Sequence, residues 1–226
     1  MQFPNLLKTG IALLGFFVSA NSWALTMTLQ TTDNGWYNQT GEHSTVNVNT
    51  FTGMHASGQN FNSFYNFNVD ALVGKYITSA SITFYGGNGT YVSSDAFETL
   101  QLWDVTTTPG GGPSVATYND LMSGTMYGEV NVFGTSGMKM PQLTIDLNSM
   151  AFTDISADSF FSLGASIATI GSTAVQSLWY GSGSLPAAYL QIEYSDAPPM
   201  SVDESSSLAL LGLGLIGLFV AARRRV

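Results

Sequence analysis

Apolar and polar residues alternate with a period of two along much of this chain, and this pattern constrains the fold more than any other feature. In residues 79–84, Ala80, Ile82 and Phe84 alternate with serine and threonine. Successive side chains of a strand point to opposite faces, so this segment predicts a half-buried β-strand. The alternation recurs at 61–69, 143–147, 161–167 and 190–194. Weaker strands are predicted at 46–50, 100–105, 130–133 and 175–180.

Glycine and asparagine separate these segments and mark the turns between them. The turn-rich stretches are 86–89, 109–113, 134–137 and 181–183. Short helices are predicted only at 118–122 and 148–152. Many short strands joined by tight turns in one domain predict an all-β fold, an antiparallel β-sandwich of jelly-roll type.

The N-terminal segment, 1–24, has the organisation of a signal peptide. Lys8 supplies a positive charge, residues 11–18 form a short apolar stretch, and Ser22 and Ala24 are the small residues of a cleavage site. The apolar stretch is much shorter than the ~20 residues that span a bilayer. We therefore expect an N-terminal signal helix that directs export and is removed by cleavage after Ala24.

The C-terminal segment predicts a membrane anchor. An apolar run at 208–222 is followed by Arg223, Arg224 and Arg225. Arginines at the end of an apolar run hold that end at an anionic membrane surface. We therefore expect a transmembrane helix that ends in the inner membrane.

Residues 202–225 resemble the PEP-CTERM sorting signal, through the small and leucine residues of the apolar run and its arginine cluster. In that family a Val-Pro-Glu-Pro motif precedes the helix. Here Val202 and Glu204 keep that register, whereas Asp203 and Ser205 stand in place of the two prolines. The resemblance implies that a membrane enzyme, exosortase, cuts at the motif and releases or re-anchors the protein. A plain tail anchor is the alternative interpretation.

These signals divide the chain into four predicted parts: a signal peptide at 1–24, a β-sandwich domain at 25–195, a linker with the sorting motif at 196–204, and the anchor at 205–226.

Outside the targeting segments the only basic residues are Lys75 and Lys139. The carboxylates greatly outnumber them, and so acidic a domain is repelled by phosphate backbones, which excludes nucleic acid as a partner. The chain has no cysteine, so thiol catalysis and cysteine-ligated metals are excluded as well.

Motifs for catalysis are absent from the sequence. His43 and His55 are the only histidines, and no metal-ligand spacing or Gly-x-Ser-x-Gly nucleophile motif accompanies them. We expect both to be solvated loop residues. Asp95 and Glu98 lead into a predicted strand and are the candidate ligands for Ca²⁺, the one cofactor considered, with a solvated turn as the alternative. The chain is therefore predicted not to be an enzyme.

Residues 67–74 and 77–84 are similar to paired strands in carbohydrate-binding-module-like sandwiches of bacterial surface proteins, including the DNRLRE type. The resemblance implies a sandwich and brings no functional residues with it. Strand parity adds three candidates for glycan contact, because Tyr85, Trp103 and Trp179 fall in phase with polar neighbours. Flat rings on a polar face suit the apolar face of a sugar, whereas a position in the core is the alternative for each ring.

Together these features predict an exported structural or adhesive protein of the cell surface or extracellular matrix. Its expected partners are the export machinery, exosortase and an exopolysaccharide of the biofilm matrix. Two alternatives remain open at this point: a carbohydrate-binding module with a defined ligand site, and a carboxylate-dependent polysaccharide hydrolase.

Overall fold

Two antiparallel β-sheets make up most of the described part of the chain. The computed structural model describes residues 24–85, 89–171, 175–180 and 187–198, with the backbone alone for Trp179 and Tyr180. The strands are β1 Leu25–Gln30, β2 Asp33–Asn38, β3 Thr50–Met54, β4 Asn60–Asn68, β5 Tyr76–Phe84, β6 Tyr91–Val92, β7 Glu98–Asp104, β8 Met126–Val132, β9 Leu143–Asp146, β10 Phe160–Ile167, β11 Gln176–Tyr180 and β12 Ala188–Ser195. The helices are α1 Val115–Asp120 and α2 Ser149–Ala157, and a short 3-10 turn spans Asp70–Leu72.

The smaller sheet has four strands in the order β1-β12-β5-β9. The larger sheet runs β6-β11-β3-β4-β10-β7-β8, and β2 pairs with β4 in addition. The apolar faces of both sheets share one buried core. Tyr65 of β4 meets Phe84 of β5 edge to face, with 5.0 Å between ring centroids. The predicted all-β class with antiparallel strands is therefore confirmed.

The alternating segments form strands with the predicted faces inward. Ala80, Ile82 and Phe84 are buried in β5, and Phe161 and Leu163 are buried in β10. Each buried strand face removes apolar surface from water at roughly 25 cal/mol per Å². Periodicity was sufficient to find β5 because only one face of its segment 79–84 is buried, whereas residues 163–167 of β10 are buried on both faces.

Both predicted helices are present, with shifted boundaries. The side chain of Ser114 caps α1 by accepting a hydrogen bond from the Thr117 amide at 3.0 Å. Asn148 caps α2, accepting from the Met150 amide at 3.0 Å. The predicted segment 148–152 therefore begins on the cap rather than in the helix. Helix α2 buries Ala151 and Ile155.

The strand predicted at 46–50 is wrong for most of its length, because β3 begins only at Thr50. The Asn47 amide donates to Ser44 Oγ at 3.1 Å, and the Asn49 amide donates to Asn47 Oδ1 at 3.3 Å. These local bonds replace the ladder bonds that a strand would make. Val46 is 90% exposed in this loop, so its apolar side chain does not belong to the core.

Chain entry into and exit from the domain lie side by side. β1 pairs with β12, and Leu25 is the register partner of Tyr194. The predicted signal peptide up to residue 23 and the predicted sorting motif and anchor lie outside the described residues. Among the residues that are described, no helix is both long and apolar enough to cross a membrane.

Candidate functional site

An aromatic groove of about 280 Å³ opens where three strands of the larger sheet meet. We use this name for the depression lined by Trp36, Asn47, Asn49, Phe51, His55 and Phe61. Trp36 lies on β2, Phe51 on β3 and Phe61 on β4, and His55 begins the turn between β3 and β4. The site thus depends on strand pairing and not on one sequence motif.

Strand register brings the rings together. Trp36 pairs with Ser63 across the β2–β4 ladder, which places Phe61 diagonally beside it on the same face. The Trp36 and Phe61 rings lie 5.1 Å apart at 75°. Phe51 meets Phe61 at 5.1 Å and 78°. Edge-to-face contacts of this kind stabilise a cluster by about 0.5–1.5 kcal/mol per pair beyond burial, so the groove wall is held in place.

His55 completes the groove at its outer side. Its imidazole lies 5.8 Å from the Phe51 ring at 70°, and its Nδ1 lies 3.1 Å from Ser57 Oγ. The predicted loop position of His55 agrees with its exposed side chain. The other histidine, His43, instead stacks on Tyr37 at 4.5 Å, and its Nδ1 lies 2.9 Å from the Trp36 carbonyl oxygen.

Two asparagines supply the polar part of the groove. Asn47 is exposed, and Asn49 is half-buried. Oδ1 of Asn49 is shielded from solvent and accepts no hydrogen bond from a described residue. An acceptor buried without a donor costs about 1–3 kcal/mol, so a hydroxyl that reached it would remove that cost.

Apolar rings with a few polar groups are the usual lining of small-molecule sites. Five of the six lining residues have no ionisable side chain, and the sixth is His55. Such a surface can stack on the apolar face of a pyranose while amide groups bond its hydroxyls. Its lining residues include no nucleophile with an adjacent base.

A second depression of about 310 Å³, the acidic cleft, contains Asp104, Asp154 and Asp158 with Tyr127 and Phe160 in its lining. The Thr125 amide donates to Asp104 at 2.6 Å. The Ser159 amide donates to Asp158 at 2.6 Å. No group of three or more ligating side chains within the described ranges has the arrangement of a metal site.

Tyr127 is held protonated in this cleft. Burial raises the pKa of its hydroxyl above the ordinary value, and the hydrogen bond to Asp154 raises it further. The hydroxyl therefore donates to the Asp154 carboxylate over the ordinary pH range. It joins β8 to α2 and serves as a structural donor.

The three predicted aromatic contacts lie in different places. Tyr85 follows β5 in the smaller sheet, is 43% exposed and meets Tyr189 edge to face at 5.0 Å. Trp103 is half-buried on β7 of the larger sheet, and its Nε1 donates to Ser166 Oγ at 2.9 Å. Trp179 is the register partner of Phe51, and its side chain is not described.

Asp95 and Glu98 are linked through Ser93, whose hydroxyl accepts from the Asp95 amide and donates to the Glu98 carboxylate. Glu98 is fully buried and accepts from the hydroxyls of Ser93 and Thr169. Asp95 is exposed and accepts from the side-chain amide of Gln176. The alternative prediction, a solvated turn, is therefore wrong for Glu98, because its buried carboxylate accepts hydrogen bonds from protein hydroxyls.

The groove residues escaped the sequence analysis for a definite reason. Trp36 follows Asn34 and Gly35, a pair typical of turns, so β2 was not predicted. Phe61 falls in phase with the apolar residues of its predicted strand, whereas it is half-buried at the start of β4. An unexplained tryptophan beside a turn was the one signal available.

Comparison with known proteins adds no family to this description. A scan against protein-family models found no match, and a search of curated proteins found none.

Proposed function

We propose that this chain is an exported protein of the cell surface or extracellular matrix that binds polysaccharide through the aromatic groove. The observation that carries the proposal is the groove itself, where Trp36, Phe51 and Phe61 form a ring cluster beside two asparagines. The role is structural or adhesive. It unites the expected matrix protein with the carbohydrate-binding module that was its alternative.

The charge of the domain favours neutral polysaccharide as the ligand. Outside the targeting segments only Lys75 and Lys139 oppose the many carboxylates, and Lys75 is already paired with Asp196 at 2.5 Å. An anionic polymer approaching this surface is repelled, and at physiological salt the repulsion acts within a Debye length of about 8 Å. We therefore infer hexose polymers without carboxylate or sulfate groups.

The targeting part of the proposal is that residues 1–24 direct export and that 205–226 anchor the chain until exosortase acts at 202–205. The register pair Leu25–Tyr194 supports it, because both segments then leave the domain at one end of the smaller sheet.

The finer architecture that we propose is a jelly roll. Pairing of the first and last strands, β1 and β12, is in keeping with it.

Affinity electrophoresis of the purified protein in gels that contain neutral or anionic polysaccharides tests the binding role. We expect retardation by a neutral glucan or galactan and none by an alginate-like polymer. Trp36→Ala and Phe51→Ala should each weaken retardation at least about tenfold, equal to 1.4 kcal/mol. Trp179→Ala extends the test to the register partner of Phe51.

The matched control is Phe133→Ala, since Phe133 is 65% exposed and is not a lining residue of the groove. It should leave retardation unchanged. Thermal unfolding of every variant separates lost binding from lost folding. Normal retardation of folded Trp36→Ala and Phe51→Ala proteins would exclude the groove as the binding site. Affinity electrophoresis of Tyr85→Ala and Trp103→Ala then tests whether the rings predicted from the sequence bind the polysaccharide instead.

A further inference from the structure

Strand β1 presents a complete edge of the smaller sheet. It pairs with β12 over six consecutive residues without a bulge. On its other side, no described residue forms a backbone ladder with it. Unpaired amide and carbonyl groups along a strand edge are a template for another strand.

The pairing pattern shows which groups point outward. The Thr31 amide donates to the Ala188 carbonyl at 3.3 Å, which makes Thr31 and Ala188 a hydrogen-bonded pair. Hydrogen-bonded and non-hydrogen-bonded pairs alternate in an antiparallel ladder. Leu25, Met27 and Leu29 therefore bond β12, and the backbone groups of the even-numbered residues between them face the open edge.

The other edges in the described part of the chain are protected, each in its own way. β6 has only two residues. β8 and β9 lie against each other, as the Asn148 amide donates to the Tyr127 carbonyl at 2.9 Å. Both also contain an acidic residue, Glu129 in β8 and Asp146 in β9. The loop after β2 lies along its edge, where the Asn38 amide donates to the Glu42 carbonyl at 3.0 Å.

β1 has none of these protections. Its six residues, Leu-Thr-Met-Thr-Leu-Gln, include no charge and no proline. Its core-side residues Met27 and Leu29 are only partly buried, and Leu25 is 47% exposed. β1 itself carries no carboxylate, so a second copy that pairs along it meets none on this strand, although the domain as a whole is acidic.

We propose that two copies of this chain associate through their β1 strands, which pair antiparallel about a two-fold axis. The two four-stranded sheets then form one continuous eight-stranded sheet. The second copy is favoured over other partners because an antiparallel edge of this composition is complementary to itself.

The outward backbone groups fix the register. Placing Thr28 opposite Thr28 of the second copy also places Thr26 opposite Gln30, so every outward amide of the strand finds a carbonyl. In this register Met27 of one copy faces Leu29 of the other, and their remaining exposed apolar surface is covered. Threonine pairs directly across a ladder add a favourable contact on the outer face.

The absence of native cysteine permits a direct test of this register by cross-linking. Thr28→Cys should form a disulfide-linked dimer on mild oxidation, because paired Cα atoms lie about 5.5 Å apart. Thr26→Cys is the matched control, since Thr26 is also an exposed threonine of β1. Its two copies would lie about 14 Å apart, four residues out of register, beyond the ~7 Å limit for a disulfide.

Sedimentation of the uncross-linked full chain, in mild detergent, gives the second readout. We expect a reversible dimer, and Thr28→Lys should weaken it at least tenfold because two like charges meet at the axis. The Thr28→Lys side chain points outward, so the fold, checked by thermal unfolding, should persist. A monomer at all accessible concentrations, or equal cross-linking of both cysteine variants, would overturn the proposal.

Discussion

The hydroxyl of Tyr127 on β8 donates a hydrogen bond to Oδ2 of Asp154 on α2, and so ties the longer helix to the larger sheet. Tyr127 is 2% exposed, and its ring lies 5.7 Å from that of Phe161. The bond therefore joins a buried phenol to a carboxylate at the mouth of the acidic cleft.

Removing this hydroxyl should destabilise the domain measurably. Tyr127→Phe keeps the ring packing but leaves Asp154 without its donor, and hydrogen bonds to charged groups contribute about 1.5–3 kcal/mol. Denaturant unfolding measures the loss. Tyr85→Phe is the control, since Tyr85 lies at the surface. Equal stability of both variants would show that the Tyr127–Asp154 bond contributes nothing.

Alkaline pH should destabilise the fold through its buried tyrosines. Burial raises the pKa of Tyr65 and of Tyr127 above their ordinary value of 10.0. Because the folded pKa is the higher one, this stabilisation is fully present below about pH 10 and is lost as pH rises toward the folded pKa.

The melting temperature should thus fall progressively above about pH 10. In Tyr127→Phe the fall should be shallower, because the Tyr127 hydroxyl no longer titrates. A melting temperature that does not change over this range, in the parent protein, would contradict the prediction.

Glu98 should be required for folding stability whether or not Ca²⁺ is added. Glu98→Gln puts an NH₂ group where one of the two carboxylate oxygens accepts a hydrogen bond. The hydroxyl of either Ser93 or Thr169 then loses its acceptor, at a cost of about 1–3 kcal/mol. Thermal unfolding with EDTA and with excess Ca²⁺ should give the same melting temperature. A rise with Ca²⁺ that Glu98→Gln abolishes would instead establish the Ca²⁺ site expected at Asp95 and Glu98.

Trp103 should contribute to stability through its indole N–H. Trp103→Phe leaves the hydroxyl of Ser166, which is 6% exposed, without its donor. The expected cost is about 1 kcal/mol. A double-mutant cycle with Ser166→Ala isolates the bond, and additive effects of the two substitutions would exclude it.

Processing should leave Leu25 as the first residue of the exported protein and remove the apolar tail. Intact mass of protein from the exporting organism measures both ends, and a mass that retains 208–226 would contradict tail cleavage. Replacing Arg223, Arg224 and Arg225 with glutamine removes about 1 kcal/mol of membrane attraction per charge, so retention of the tail should weaken. Unchanged membrane fractionation would contradict that role.

The parts of the fold visible in the sequence are those whose period-two pattern reports burial on one face. β5 shows this well over residues 79–84, where the alternation matches the buried residues Ala80, Ile82 and Phe84. β1 had the same signal in Leu25, Met27 and Leu29, but it adjoins the predicted signal peptide and was not predicted. β2 was hidden because its Asn34–Gly35 pair is typical of a turn.

The aromatic groove was beyond prediction for a different reason. Trp36, Phe51 and Phe61 are separated along the chain, and only the pairing of β2, β3 and β4 brings their rings together. Strand order and register are long-range properties that the period of a single strand does not encode. Parity also failed at Phe61, because a strand end lies in phase with the core without being covered by it.

The position of β12 has a mechanical consequence. It lies between β1 and β5, with six register partners in β1 and eight in β5. Tension applied to the chain after Ser195 acts along β12 and loads both ladders in shear, so many hydrogen bonds must break together. A strand at the edge, pulled sideways, would release them one at a time. The architecture therefore resists force applied at its C-terminal end, which is where the proposed membrane anchor would pull.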